Sequence, residues 1–310
     1  MCLAWPIPMN RISPAGRPWT LPVLAAASLL CLAAFLAPGV AGAKGKHKRH
    51  RSGLIASDTA ANPDPNPFWG RSYCANDQRV EQFTSGGDSH RTLTGAPQGD
   101  SAFRRLTAFD GDDAFGERCE LGWDSLNSPT AFYHQGDHLL TAISIRLPTG
   151  FPLNAFAWQA VMQMKSVPNN TTGTPVLELD AYGGRWRLRQ SLSRSSASDS
   201  RELWSAPASL NLWTRFLFDV RYSDRKRRGY IRVGVDLNGD GDFADPGELS
   251  PGFRTYTLKI QPRGSVLDGI RPGRSVPSHL RAGIYHETDI PCPAPVGCPV
   301  DIDNVQVVRP

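Results

Sequence analysis

The sequence predicts an all-β fold in which two stacked sheets, or a closed barrel, enclose one core. From about Trp69 onward, short runs of alternating apolar and polar residues follow one another, and turns rich in Gly separate them. Residues 214–222, TRFLFDVRY, place their aromatic and apolar side chains mainly on one strand face. No segment keeps a helical period over three turns, so strands must supply the whole core.

Eleven strands are predicted in this region. They cover residues 103–109, 117–123, 139–147, 156–166, 175–182, 185–192, 214–222, 230–237, 255–260, 279–286 and 301–308.

The N-terminus has the pattern of an export signal. Arg11 and Arg17 precede an apolar run over residues 21–37, and Ala41-Gly42-Ala43 follows as a small-residue cleavage site. We therefore expect a signal peptide over residues 1–43 and a secreted or extracytoplasmic protein. A retained anchor is the alternative, although the run is shorter than the roughly 20 residues of a membrane span.

Residues 44–68 are expected to be a disordered linker, with a basic start, KGKHKRHR, and a Pro-rich end, ANPDPNP. Residues 69–310 then form one β domain. Seven of the 34 Lys and Arg residues precede residue 52, which leaves 27 against 29 Asp and Glu. The domain is therefore slightly acidic. This excludes a generally basic, nucleic-acid-binding surface, and we expect a monomer with no nucleic-acid partner and no transmembrane segment once the signal is removed.

Four cysteines lie outside the expected signal, namely Cys74, Cys119, Cys292 and Cys298. An even number in an exported chain predicts two disulfides, for which three connectivities exist. The short PAPVG-containing loop between Cys292 and Cys298 favours a local pair, which leaves Cys74 with Cys119. No His/Cys spacing of the zinc type supports the alternative of a metal site.

Four segments, in order, resemble the heparin lyase I-like polysaccharide lyases. Residues 116–121 (GERCEL) are similar to the family's R-x-E strand. Residues 158–165 (WQAVMQMK), after the LPTGFP turn, are similar to its Q-x-H strand. Residues 279–285 (HLRAGIY) are similar to its Y-x-K-x-G-x-Y strand, and Asp303-Asn304-Val305 to its closing strand. The resemblance implies a concanavalin A-like β-jelly-roll sandwich of two antiparallel sheets and β-elimination on a uronate-bearing, acidic polysaccharide.

The resemblance also assigns roles that fit this chemistry. Elimination requires a group that neutralises the uronate carboxylate, together with groups that remove the C5 proton and protonate the leaving O4. Arg118 and the amide of Gln163 are the implied neutralisers, and Tyr285 is the implied acid and base. Because strand residues alternate faces, Arg281 is expected beside Tyr285, and Glu120 beside Arg118, in the substrate groove.

The chain departs from the family pattern at three positions. Lys165 stands where the family has His, and a Lys acts as a base only if its pKa falls well below about 10.4. Otherwise Lys165 binds an acidic group and Tyr285 performs both proton transfers. Arg281 replaces the family's Lys, and His279 replaces its first Tyr, which makes both candidates for substrate binding.

Simpler interpretations exist for each motif. Without the resemblance, Arg118 and Glu120 form a cross-strand ion pair, and Gln163 and Lys165 form the exposed side of a strand. A non-catalytic carbohydrate-binding jelly roll, or a structural surface protein, would then be the function. Trp158, Trp186 and Trp213 are candidate sugar-stacking platforms in either case, or else core residues.

No cofactor is expected for catalysis, but one turn is a candidate for structural calcium. Asp236, Asn238, Asp240 and Asp242 follow the D-x-N-x-D-G-D spacing of oxygen ligands. The position that should hold the bidentate Glu is Gly247, one residue before Glu248, so an Asx-rich hairpin turn is the alternative.

Overall fold

The structure, a computed structural model, describes residues 53–89, 102–112, 116–123, 132–166, 174–196, 199–263 and 270–310. These ranges lie in one compact unit. Apart from one turn of α-helix, α1 (Asn66–Trp69), and a single 3-10 turn, their regular structure is β. No helix in these ranges has the length and apolarity of a membrane span.

Seventeen strands are found in the described ranges. They are β1 (Gly53–Asp58), β2 (Gly70–Ser72), β3 (Val80–Phe83), β4 (Phe103–Ala108), β5 (Arg118–Trp123), β6 (His138–Arg146), β7 (Gln159–Ser166), β8 (Leu177–Tyr182), β9 (Arg185–Ser191), β10 (Ser200–Pro207), β11 (Trp213–Arg221), β12 (Tyr230–Asp236), β13 (Phe253–Arg254), β14 (Lys259–Ile260), β15 (Ser275–Val276), β16 (Ser278–His286) and β17 (Cys298–Arg309).

Two antiparallel sheets contain nearly all of them. One, called the site sheet below, has the order β10-β9-β8-β7-β16-β5-β2. The other, the back sheet, has the order β13-β12-β11-β6-β17-β4-β3, with β1 added to β17. β16 lies beside β7, and β17 beside β6, although more than 100 residues separate the two strands of each pair in the sequence. This is a jelly-roll sandwich of two antiparallel sheets, as predicted.

The core lies between the two sheets. The site sheet contributes Met162, Leu188 and Ile284, and the back sheet contributes Phe216 and Phe218, all of which are fully buried. Burial of each such side chain stabilises the fold by about 2 kcal/mol.

Two of the three tryptophans that are candidates for stacking on a sugar lie away from the predicted substrate groove. Trp186 is completely buried, and its ring meets Phe216 edge to face at 5.1 Å between centroids, so it is a core residue. Trp213 belongs to the back sheet, where its indole nitrogen donates to the Gly86 carbonyl at 3.0 Å. Only Trp158 borders the predicted groove.

The prediction of a disordered linker over residues 44–68 is wrong from Gly53 onward. β1 pairs with β17 from Gly53↔Arg309 to Asp58↔Val305. The Asp58 carboxylate accepts from Nε and Nη2 of the buried Arg104 at 2.9 and 3.0 Å, and from the indole of Trp69 at 2.7 Å. The composition suggested disorder. The segment is ordered because β1 pairs with the free edge of β17 and because Asp58 compensates the buried Arg104 guanidinium. The expected signal peptide, residues 1–43, lies outside the described residues.

One predicted strand is also wrong. Residues 255–260 form a strand only at Lys259–Ile260, and the rest is irregular. The Thr257 amide donates to the Ser223 carbonyl at 2.7 Å, and its hydroxyl donates to the Arg221 carbonyl at 2.8 Å. These hydrogen bonds to residues at and just beyond the end of β11 replace those of a strand ladder.

Both predicted disulfides are confirmed. Cys74 is bonded to Cys119 and Cys292 to Cys298. The first joins the segment after β2 to β5, and the second closes the loop that leads into β17.

Candidate active site

The three strands with the predicted motifs are neighbours in the site sheet, in the order β7-β16-β5. Tyr285 lies opposite Arg118, and Arg281 opposite Gln163. Lys165 lies opposite His279, and Glu120 opposite Gly283. Because the residues between them face the core, these side chains share the outer face of the sheet. The structure therefore brings the predicted site residues together.

Gly283 permits the close approach of β16 to β5. Its φ is +140°, and a Cβ there would lie 2.2 Å from the Cys119 carbonyl oxygen, so no other residue fits without displacing backbone. Between Ala282 and Tyr285, the register of β16 against β7 shifts by a bulge. Such a bulge re-aims the side chain that follows it, here Tyr285.

Glu120 is the buried centre of the site, with 1% of its surface exposed. It accepts a hydrogen bond from Nε2 of Gln163 at 2.9 Å. Its other oxygen lies 3.5 Å from Nη1 of Arg118 and 3.7 Å from Nη1 of Arg281. A buried carboxylate needs such compensation, so Glu120 positions the two arginines and does not face solvent.

Gln163 is not placed to contact the substrate in the way that the resemblance implied. Its side chain is 1% exposed, and its amide nitrogen is committed to Glu120. Gln163 therefore holds Glu120 in place, and Arg118 is the partner of Glu120 nearer the surface, with 14% of its side chain exposed.

Arg281 and His279 are also buried, and they contact each other. The Arg281 guanidinium lies 3.7 Å from the centre of the Tyr73 ring, and its Nε donates to Nε2 of His279 at 3.0 Å. Burial, together with the charges of Arg281, Lys165 and Arg71, holds the pKa of His279 well below its ordinary value. His279 is therefore a neutral acceptor that orients Arg281.

Tyr285 is held on two sides. The Arg118 guanidinium carbon lies 3.5 Å from the centre of its ring, and Trp158 meets the ring edge to face at 4.5 Å between centroids. A phenol and a guanidinium are thus fixed side by side on the outer face of the sheet.

The surroundings of Lys165 lower its pKa and so favour the neutral amine. Burial lowers its pKa to about 8, and the charge of Arg281 acts in the same direction. Glu120 opposes this shift, and Arg118 adds to it. This amine is therefore available as a proton acceptor in mildly alkaline solution.

Glu178 also borders this group of side chains, although none of the sequence motifs includes it. It lies on β8 opposite Gln163, and its carboxylate accepts from the Trp158 indole at 2.8 Å. Burial raises its pKa to about 7, although Arg189, 3.4 Å away, opposes the rise. The alternation in residues 177–182, LELDAY, already places its acids on the face opposite the leucines, and that signal was available in the sequence.

The candidate calcium turn lies at the end of β12, in the back sheet. There the Asp236 carboxylate accepts from the amides of Gly239 and Gly241 at 2.6 and 2.8 Å. Asn238, Asp240 and Asp242 each accept, through a side-chain oxygen, from the amide two residues later. These are the bonds of an Asx-rich turn, and calcium binding there stays a prediction.

A second group of metal-ligating atoms consists of His286, Cys292 and Cys298, within 4.8 Å of one another. The two sulfurs are joined in a disulfide. They therefore offer no thiolate to a metal.

The sequence matches the family model described as polysaccharide lyase over residues 78–292, more than two thirds of the chain. The chain belongs to the polysaccharide lyase family. The match spans all the positions predicted for catalysis and substrate binding, and it supports a carbohydrate-active enzyme. It does not distinguish the heparin lyase I-like group, which stays a prediction. Among curated protein sequences, none matches this chain.

Several solved structures are similar in fold. The catalytic domain of a glycoside hydrolase family 131 protein from Coprinopsis cinerea shares 13% identity at a TM-score of 0.42, over 74% of this chain and 77% of that one. A family 131 β-glucanase catalytic domain from Podospora anserina shares 10% at 0.42, over 74% and 78%. A variant of the family 7 alginate lyase A1-II' with bound substrate shares 11% at 0.43, over 75% and 82%. Such identities concern the fold alone.

Proposed function

We propose that this family member is a secreted lyase that cleaves a uronate-bearing polysaccharide by β-elimination. The observation that carries the proposal is the stacking of Arg118 on Tyr285, 3.5 Å from the ring centre. It fixes a carboxylate-binding cation beside a phenol able to exchange a proton, and these are the two functions that elimination requires.

Arg118 is the group that receives the uronate carboxylate. Its guanidinium can donate two parallel hydrogen bonds to a carboxylate, and Glu120 and the Tyr285 ring hold it in place. Neutralising the carboxylate stabilises the negative charge that develops at C5 when its proton leaves. Arg281, buried beneath, adds positive charge without touching the sugar.

The proton transfers belong to Tyr285 and Lys165. In one version, Tyr285 begins as the phenolate, removes the C5 proton and passes it to O4 as the C4–O4 bond breaks and the C4–C5 double bond forms, which regenerates the phenolate. In the other, the neutral amine of Lys165, with its pKa near 8, accepts the C5 proton and Tyr285 protonates O4. In both versions the substrate loses one proton and gains one, and no cofactor is needed. In the second, a proton passes from Lys165 back to Tyr285 before the next turnover.

The proposed setting is extracytoplasmic. Two disulfides are compatible with an oxidising compartment. The proposed partner is an acidic polysaccharide, bound by a monomer.

The test is an ultraviolet assay of the purified protein against a panel of uronic-acid polysaccharides. Each elimination leaves a C4–C5 double bond that absorbs, so absorbance should grow with at least one polymer. Tyr285→Phe should abolish the growth. Tyr230→Phe, at a half-buried tyrosine of the back sheet, is the matched control and should retain full activity. Equal rates for wild type and Tyr285→Phe would exclude the proposed proton transfer.

A carbohydrate-binding function without catalysis is the second candidate, favoured by Lys165 at the family's His position. It predicts flat absorbance with every polymer together with measurable affinity for one of them. The same panel, followed by titration calorimetry, separates the two functions.

A further inference from the structure

Phe156 is the most exposed of the large apolar side chains in the described residues, at 79%. It lies in the loop between β6 and β7, two residues before Trp158. The loop therefore presents one aromatic ring to solvent two residues before the tryptophan whose ring packs on Tyr285.

The exposed ring is held in one place. The loop is joined to the β8–β9 turn by two backbone hydrogen bonds, from Gly183 to the Ala155 carbonyl and from Gly184 to the Leu153 carbonyl, each 2.9 Å. The Phe156 ring packs directly over Gly183, where a Cβ would lie 2.8 Å from its Cε1 atom. An apolar ring that a rigid turn holds toward water is pre-organised for a partner.

Tyr182 and Arg187 extend the surface. Tyr182 meets Phe156 edge to face at 5.6 Å between centroids, and the Arg187 guanidinium carbon lies 3.7 Å from the Tyr182 ring centre. Arg187 is itself bound by both oxygens of Asp180 at 2.9 and 2.6 Å. Asp180 therefore compensates the charge of Arg187, although Arg189 shares the same carboxylate at 3.3 Å, and the two rings offer a ligand an apolar face.

The position of this surface connects it to the active site. Tyr182 lies on the same outer face of the site sheet, and β8 is two strand spacings, roughly 10 Å, from the strand of Tyr285. A polysaccharide bound at Tyr285 and running across the strands reaches it within a few sugar units.

We infer that Phe156 and Tyr182, supported by Arg187, form a distal subsite that stacks on the apolar face of a sugar ring farther along the same substrate chain. The inference rests on the proposed function and deepens it. Because Asp180 neutralises Arg187, the subsite accepts a sugar with or without a carboxylate, whereas the position beside Arg118 requires one.

The experiment compares wild type, Phe156→Ala and Phe156→Leu on size-fractionated oligosaccharides of the cleaved polymer. Loss of the flat ring should raise KM for long chains roughly fivefold and leave kcat unchanged. KM for the shortest cleavable oligosaccharide should not change. Phe156→Leu keeps apolar bulk in the loop but lacks a planar face, so it should behave like Phe156→Ala, while Phe156→Trp should restore the wild-type KM.

Leu192→Ala is the matched control, since Leu192 is 57% exposed and follows the opposite end of β9. It should have no effect on either class of substrate. An identical KM for wild type and Phe156→Ala on long chains would overturn the subsite while leaving the lyase function intact. Should wild type bind a polymer without cleaving it, the lyase proposal fails and titration decides the subsite: weaker binding by Phe156→Ala supports it, and equal binding overturns it. Absence of any binding overturns both.

Discussion

Glu178 should make the stability of this protein depend on pH in a specific direction. Its pKa is about 7 in the folded state, against an ordinary value of 4.5, chiefly because it is buried. The folded state therefore binds this proton more tightly than the unfolded chain. Below pH 4.5 the carboxyl is protonated in both states. As the pH rises from 4.5 through 7, the fold loses stability because a buried charge must form.

The magnitude follows from the two pKa values. A difference from 4.5 to about 7, at about 1.4 kcal/mol for each pH unit, corresponds to a loss of about 3 kcal/mol. Glu178→Gln mimics the neutral form and keeps an oxygen to accept from the Trp158 indole. The variant should match wild type at pH 4 and exceed its free energy of unfolding by about 3 kcal/mol at pH 8.

Urea unfolding followed by tryptophan fluorescence, at half-unit steps from pH 4 to pH 8, measures this difference. Glu202→Gln is the control, since Glu202 also lies opposite Arg189 but is exposed on β10. Its difference from wild type should stay constant with pH. A constant difference for Glu178→Gln as well would refute the argument from burial.

Three further outcomes are expected. If Lys165 is the base, kcat/KM should rise as the pH increases through 8, because the pKa of its amine is about 8. Lys165→Gln should abolish this rise. If the dependence of kcat/KM on pH is unchanged in the variant, both proton transfers belong to Tyr285. Asp58→Asn should lower the free energy of unfolding by about 3 kcal/mol, because the buried Arg104 then lacks its carboxylate partner. Urea titration measures this loss, and an unchanged unfolding midpoint would contradict it. Replacing the Cys74–Cys119 pair by Ser should cost about 4 kcal/mol, and replacing the shorter Cys292–Cys298 loop about 2 kcal/mol; equal losses would contradict the loop-length argument.

The sequence by itself determined the class of fold and most of its strands. Alternation such as that in residues 214–222 has one geometric meaning, because a period of two places apolar side chains on one face of a sheet. The disulfide pairing also followed from four cysteines, two of them close together. The motifs that resemble the lyases identified β5, β7 and β16, and all three are adjacent in the structure.

Only the tertiary structure decided what each polar side chain does. Alternation placed Glu120, Gln163 and Arg281 on the same face as Tyr285, but it could not show that neighbouring strands bury them. The role of Gln163 changed because its amide meets Glu120 across β16, a contact set by strand order. Residues 53–58 joined the sheet for the same reason, since the free edge of β17 is a property of the assembled fold. Glu178 gained significance through Trp158, which connects it to Tyr285 only when β7 and β16 lie side by side.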